Sequence, residues 1–279
     1  VLRWAIKNKV KTIALFAESF STETLRQKFR NYKTARLLNN PQIEWVFNHG
    51  ITASLSLQGI GVDSNKIIPW DWPFRVTPDS FTPKAIRTSA QTWNLVYVGS
   101  VLEAKGVGDI LDALALLRAD NIPVRLKIAG RNQSDFFLKK AKQLKIEDCV
   151  EFLGLIPNNK VVHLMREADL VLVPSRHEYP EGLPITIYEA LCSRTPLIAS
   201  DHPMFKKSLK HGLNAMIFPA GDAMALSDCI GQLILDPELY RRLSEASSEA
   251  WHQLQIPVKW AELINRWLDD LPENQHWLY

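Results

Sequence analysis

Residues 173–201 read VPSRHEYPEGLPITIYEALCSRTPLIASD, and their order decides the fold. The apolar run DLVLV at 169–173 has the length and composition of a buried strand. Residues 174–182 form a polar loop with turn formers. Pro184 stands where a first helical residue is expected, a place where the missing N–H costs nothing. A helix follows over 185–192, Thr195-Pro196 ends it, and 197–199 opens the next strand. A strand, a helical crossover and a second strand of this length fit a parallel sheet. The helix start, beyond the carboxyl end of a strand, is a ready anion site. Two acids bracket that start, Glu181 before it and Glu189 within the helix, with seven residues between them.

Outward from this stretch the alternation continues. Strands are expected at 94–99, 124–130, 150–154, 169–174, 196–200 and 215–219. Helices are expected at 107–119, 135–144, 160–167, 185–192, 223–235 and 237–254. The alternation predicts a doubly wound parallel sheet with right-handed crossovers and ligands beyond its carboxyl strand ends. The first strand ends in Gly99-Ser100, with Lys105-Gly106 close behind. The second ends in Gly130-Arg131, and the third runs into the loop containing Leu155.

Before residue 86 the pattern is strand 12–17, helix 22–38, strand 44–48, helix 51–58 and strand 66–69. A Pro- and Trp-rich connection, 66–75, follows; its Trp70 and Trp72 are expected to pack a hinge, with stacking on a sugar as the alternative. His49 reads as a loop histidine. The last segment, 257–270, is a short helix with Trp260, Ile264 and Trp267 on one side. Domains are therefore expected at 1–85, 86–256 and 257–279, the last returning to the first.

A chain of 279 residues, 46% apolar and 23% charged, is long enough for two modest α/β lobes. No apolar run approaches the roughly 18 residues of a membrane helix, and no signal peptide is visible. The chain opens at Val1 rather than Met, which fits a fragment or a processed form. Cys149, Cys192 and Cys229 lack metal-site spacing and read as buried free thiols of a reducing compartment. Charge is uneven. Residues 1–40 hold nine Lys or Arg against Glu18 and Glu23, while the whole chain is only +3. The basic N-terminal part suggests an anionic partner; the net acidic remainder argues against a nucleic-acid reader. In helix 22–38, Leu25, Phe29, Tyr32 and Ala35 share a face, with Arg26, Lys28, Arg30 and Lys33 on the polar side. The favoured expectation turns the apolar stripe toward its own sheet; peripheral contact with an anionic membrane is the alternative.

The spacing Glu181-GLPITIY-Glu189, with the Gly99-Ser100 and Lys105-Gly106 signals before it, resembles the retaining nucleotide-sugar glycosyltransferases of family 4. The resemblance is strongest over 94–236. It implies an α/β fold of the GT-B type: two Rossmann-like lobes with parallel sheets, the N-terminal lobe here short of its first half. It implies a cytoplasmic enzyme, free in solution or peripheral at the membrane. This enzyme moves a sugar, with retention, from a nucleotide diphosphate-sugar to a glycan, lipid-linked or small-molecule acceptor. No metal and no cofactor are implied, and the acceptor proton passes to a leaving phosphate oxygen.

Lys105 would bind the diphosphate, flanked by Gly99 and Ser100. Glu189 would accept the ribose hydroxyls, and Glu181, with the amides of Gly182 and Leu183, would hold the donor sugar. Leu155 would border the base. The sequence departs from the family at Ser100, where an Arg is common, leaving Arg131 or Arg176 as substitute cations. It departs again at Ala17-Glu18-Ser19, where a His is common, and it lacks the glycine-rich loop of the first lobe. Glu178, His177 and His202 read as loop residues. The rival is a nucleotide-sugar-binding module or fragment without turnover. A Rossmann oxidoreductase is disfavoured because no G-x-G-x-x-G follows a strand.

Overall fold

The computed structural model describes residues 1–20, 24–85, 91–131 and 135–269. The chain divides into two compact units. The first comprises Val1–Arg75, Pro180–Leu183 and Gln255–Tyr279; the second comprises Val76–Tyr179 and Pro184–Leu254. The expected helix start at Thr22, the lobe boundary at Ile86 and the tail beyond Asp269 lie outside the described residues.

The first unit opens with a helix the sequence reading did not anticipate, α1 (Leu2–Lys7). Then come β1 (Thr12–Phe16), α2 (Leu25–Leu38), β2 (Ile43–His49), α3 (Ile51–Gly59) and β3 (Ile67–Trp70). The strands pair in parallel in the order β1-β2-β3. A capping box starts α2. The Thr24 hydroxyl accepts from the Gln27 amide at 3.2 Å, and the Gln27 side chain accepts from the Thr24 amide at 2.9 Å. The inward face of α2 is Asn31, Ala35 and Leu38, the last two packed on Ile43, Val46 and Leu57. This overturns the expectation that the apolar stripe faces the sheet: Leu25, Phe29 and Tyr32 are 84%, 60% and 60% exposed. The reason is charge. Arg36 continues the same stripe, one turn after Tyr32. Turning the stripe inward would carry its guanidinium out of water.

In the second unit β4 (Trp93–Val98), α4 (Val107–Ala119), β5 (Val124–Ala129), α5 (Phe136–Gln143), β6 (Val150–Gly154) and α6 (Asn158–Glu167) lead to β7 (Leu170–Val173). Next are α7 (Ile185–Ser193), β8 (Leu197–Ser200), β9 (Met216–Phe218), α8 (Ala223–Leu235) and α9 (Pro237–Leu254). All six strands are parallel, in the order β6-β5-β4-β7-β8-β9. Central β7 is buried at every position, as a strand covered on both faces must be. The winding reverses between β4 and β7, and the crevice at such a reversal is where doubly wound sheets bind ligands.

The final helix, α10 (Trp260–Asp269), belongs to the first unit. The Asp71 amide donates to the Val258 carbonyl at 3.0 Å and the Trp260 amide to the Asp71 carbonyl at 2.9 Å. Fully buried Asp71 also meets Lys259 Nζ at 3.1 Å and His49 Nε2 at 3.3 Å. Trp70 packs edge-on to Trp72 at 4.8 Å and tilted on Trp260 at 5.2 Å, so these rings fill the connection.

Gly130 ends β5 with φ +153, and a Cβ there would lie 1.7 Å from the Gly99 carbonyl oxygen. Gly130→Ala should therefore destabilise the fold by about 2–4 kcal/mol in denaturant unfolding. Gly59→Ala, where an added Cβ meets nothing within 4 Å, should be neutral or stabilising by roughly 0.5 kcal/mol.

Candidate functional site

The strand ends at the reversal are stitched together by backbone. The Gly99 amide donates to the Ala129 carbonyl at 2.9 Å, and the Val101 amide to the Arg131 carbonyl at 3.1 Å. The Tyr97 hydroxyl donates to the Ser100 carbonyl at 2.7 Å, which leaves the Ser100 side chain exposed at the end of β4. A short 3-10 turn, Glu103–Lys105, carries the chain from there to α4. Gly106 closes it at φ +73, where a Cβ would sit 2.2 Å from the Pro174 carbonyl oxygen. That close approach holds Lys105 at the carboxyl end of β7. Its ammonium lies 4.2 Å over the Tyr179 ring, a cation–π contact.

Sequence reasoning missed the group that fixes this turn. Arg176 forks onto Asp109, Nε to Oδ2 at 2.9 Å and a terminal nitrogen to Oδ1 at 2.5 Å. It also reaches Glu103 at 2.7 Å. Its amide donates to the Ala104 carbonyl at 3.0 Å. The hydrogen bonds to Asp109, with the charges of Asp109 and Glu103, hold the guanidinium pKa far above its ordinary value. Arg176 is thus spent on two carboxylates, which removes it as the substitute cation for Ser100. Arg131 remains exposed at the end of β5. The signal was present in the sequence: Asp109 interrupts an apolar helix, is 3% exposed, and a buried acid requires a partner.

Helix α7 begins at Ile185 as expected, but Pro184 is not its first helical residue. Pro184 is its N-cap (φ −64, ψ 139), with no side chain capping the first amides. Burial pushes the Glu189 carboxyl on this helix up to about 7. One turn further, burial, then the Glu189 and Asp79 carboxyls, pushes the Cys192 thiol up to about 12. Cys149, Cys192 and Cys229 are all free and buried.

The structure groups Gly99, Ser100, Lys105 and Glu189 in the second unit. It assigns Glu181, Gly182 and Leu183, all buried, to the first. There a Cβ on Gly182 would lie 3.1 Å from the Ala17 carbonyl oxygen. Leu155 stands apart beyond the edge strand β6, 68% exposed. His202 uses both ring nitrogens within its loop, Nδ1 accepting from the Met204 amide and Nε2 donating to the Tyr179 carbonyl. His177 Nε2 meets Asp201 at 2.7 Å. Burial opposes ionisation of Asp201, but the Ala220 amide and His177 hold its pKa below the usual value.

Comparison with known proteins matches residues 81–250 to the family model described as glycosyl transferases group 1. The amylovoran biosynthesis glycosyltransferase AmsK of Erwinia amylovora is 28% identical over 156 residues, 54% of this chain and 38% of that protein. Glycogen synthase of Mycobacterium tuberculosis is 26% identical over 211 residues, 75% of this chain and 47% of that protein. The chain spans less than half the length of these curated relatives. Among solved structures, Anabaena HepE in complex with UDP and glucose superposes with a TM-score of 0.76 at 16% identity. That match covers 97% of this chain and 76% of HepE. The fold is α/β with Rossmann-like lobes of the GT-B type.

Two stability measurements follow from the second unit's acids. Glu189 takes up a proton on folding between about 4.5 and about 7, so its burial costs nothing at low pH and its full amount above 7. Glu189→Gln should therefore match the parent near pH 5 and exceed it by roughly 1–3 kcal/mol near pH 8 in chemical unfolding. Arg176→Met should lose about 3–5 kcal/mol by stranding Asp109, and adding Asp109→Leu should restore most of it.

Proposed function

The chain belongs to the glycosyl transferases group 1 family, and from that premise we propose that it transfers a sugar, with retention, from a nucleotide diphosphate-sugar to an acceptor. The observation that carries this reading is the placement of Lys105. The sheet winding reverses between β4 and β7, and Gly106 fixes the lysine at that reversal. Phosphate oxygens of the donor would lie against the Lys105 ammonium and the uncapped amides that open α7. A cation fixed where charge develops on the leaving diphosphate contributes most in the transition state, the general form of electrostatic catalysis. As the sugar C1–O bond breaks, the acceptor oxygen attacks from the same face, and its proton passes to the departing phosphate oxygen.

Glu189 is assigned the ribose. Its half-buried carboxyl is poised near neutrality, and two hydroxyl donors would favour the ionised form. Glu181, Gly182 and Leu183 keep the role the family resemblance gives them, hydrogen bonds to the donor sugar. Leu155 keeps a place beside the base. Family 4 and a metal-independent reaction belong to the same proposal. UDP is the first nucleotide to test, because HepE was solved with it.

One observation favours a second reading, donor binding without turnover. Ser100 is uncharged where the family commonly places Arg, and Arg176 is committed to Asp109 and Glu103.

Calorimetric titration with UDP, GDP and ADP tests both. One nucleotide should bind, and Lys105→Ala or Glu189→Ala should weaken it roughly 10- to 150-fold. Affinity should fall as pH drops below about 7, by up to about tenfold per pH unit, because Glu189 must lose its proton to accept the ribose. Tight binding with no sugar release or transfer from any conjugate of that nucleotide selects the second reading. No binding by folded protein removes both.

A further inference from the structure

Helix α2 is amphipathic in the reverse sense. Its inward face is Asn31, Ala35 and Leu38, while Leu25, Phe29 and Tyr32 follow the i, i+4, i+7 spacing of one face and point to solvent. Cations border that stripe. Lys28 and Lys33 flank it, Arg36 continues it, and Arg26 and Arg30 lie beyond, all exposed. The Lys33 ammonium rests 4.2 Å over the Phe29 ring.

Helix α1 lies beside α2. Arg3 and Ile6 of α1, with Tyr32, Lys33, Arg36 and Leu37 of α2, line one groove of about 420 Å³. Trp4 on α1 is 63% exposed, and Lys7, Lys9, Val10 and Lys11 are exposed just after it. No carboxylate among the described residues pairs with Arg3, Lys7, Arg26, Lys28, Arg30 or Arg36.

We propose that this face of α1 and α2 docks on the surface of an anionic lipid bilayer. The chemistry selects that occupant. Leu, Phe, Tyr and Trp between long cationic side chains match an interface whose headgroups are negative and whose next layer is apolar. The methylene stems of Lys and Arg cover apolar surface while their charges stay at headgroup level. A protein partner would suit the aromatics and Arg of this face but not Lys7, Lys28 and Lys33, a residue type in which protein–protein interfaces are depleted. A nucleic-acid backbone would leave Leu25 and Phe29 without a complement. Contact would be peripheral, since no helix among the described residues is long and apolar enough to cross a membrane. The inference concerns the first unit alone and stands independently of the donor site.

The test is flotation of the 279-residue chain with vesicles of phosphatidylcholine, alone or mixed with phosphatidylglycerol. At low salt the chain should float with the anionic vesicles and not with the neutral ones, and added salt should release it. Lys28→Glu with Lys33→Glu, and separately Phe29→Ser with Tyr32→Ser, should each lower partitioning at least about tenfold. All four side chains are exposed, so both variants should keep the parent's thermal unfolding midpoint. Failure to float with anionic vesicles at low salt overturns the proposal and returns the face to a protein partner or a second copy of the chain. Equal flotation with neutral vesicles, or binding indifferent to both folded variants, overturns it as well.

Discussion

Asp109 is a carboxylate set in the first turn of a helix whose neighbours Val107, Ile110 and Leu111 are core residues. Left alone there it would cost several kcal/mol. The helix dipole relieves part of that cost, and the planar fork of Arg176 meets both of its oxygens. Much else depends on this pairing. Arg176 sits just past β7, so reaching Asp109 pulls the loop onto the start of α4. Its amide then takes the Ala104 carbonyl, and the terminal nitrogen that meets Asp109 also donates to Glu103. Glu103 in turn comes so close to α4 that a Cβ on Gly108 would lie 2.5 Å from its carboxylate. Lys105 emerges from a turn held at both ends, by Arg176 on one side and by Gly106 against Pro174 on the other. The catalytic role proposed for Lys105 would need that kind of support, because a charge acts fully only if it does not have to reorganise during the reaction.

Glu189 is the counterpart. Asp109 is buried and neutralised by the protein; Glu189 is half-buried, and that burial alone raises its carboxyl to about 7. The two acids lie in one unit and differ in who supplies the compensation. For Asp109 the fold supplies it, and the group is structural. For Glu189 burial is opposed by no such partner, and on the reading proposed above the ribose of a nucleotide would supply the compensation. That is the usual direction of the trade between stability and function at a binding site.

The second unit was legible because its signals are local and repeat. Helices α4, α8 and α9 begin and end at the residues that apolar periodicity and turn formers indicate, and the strands differ by a residue or so at their ends. Strand order was legible only as a class, since pairing is set by the sheet and not by any one segment. Less could be read where the answer lies in direction or partnership. Apolar spacing in α2 defined a stripe but not which way it points, and Arg36 on the same stripe decided that. The Arg176–Asp109 pair spans 67 residues of sequence, so the acid in an apolar helix announced the need for a partner but nothing local named Arg176. Pro184 was placed inside the helix because Pro is tolerated there; its ψ of 139 makes it the residue before the first turn. The six-residue α1 was missed because a single turn and a half carries too little periodicity to register.

The outward stripe of α2 also bears on how strongly such a face can hold. Fixing α2 in the fold takes Ala35, Leu38 and the Thr24–Gln27 capping box, and none of these draws on Leu25, Phe29 or Tyr32. Their hydrophobic free energy, about 1.5–3 kcal/mol for each side chain fully buried, is therefore not consumed by folding. An interface buries such side chains only in part, and each flanking cation adds about 1 kcal/mol near an anionic surface. Against this stands the loss of free motion on docking, several kcal/mol at least. The balance is favourable but small, and much of it is electrostatic. A face built this way holds a protein reversibly and lets it go when the surface charge or the ionic strength changes.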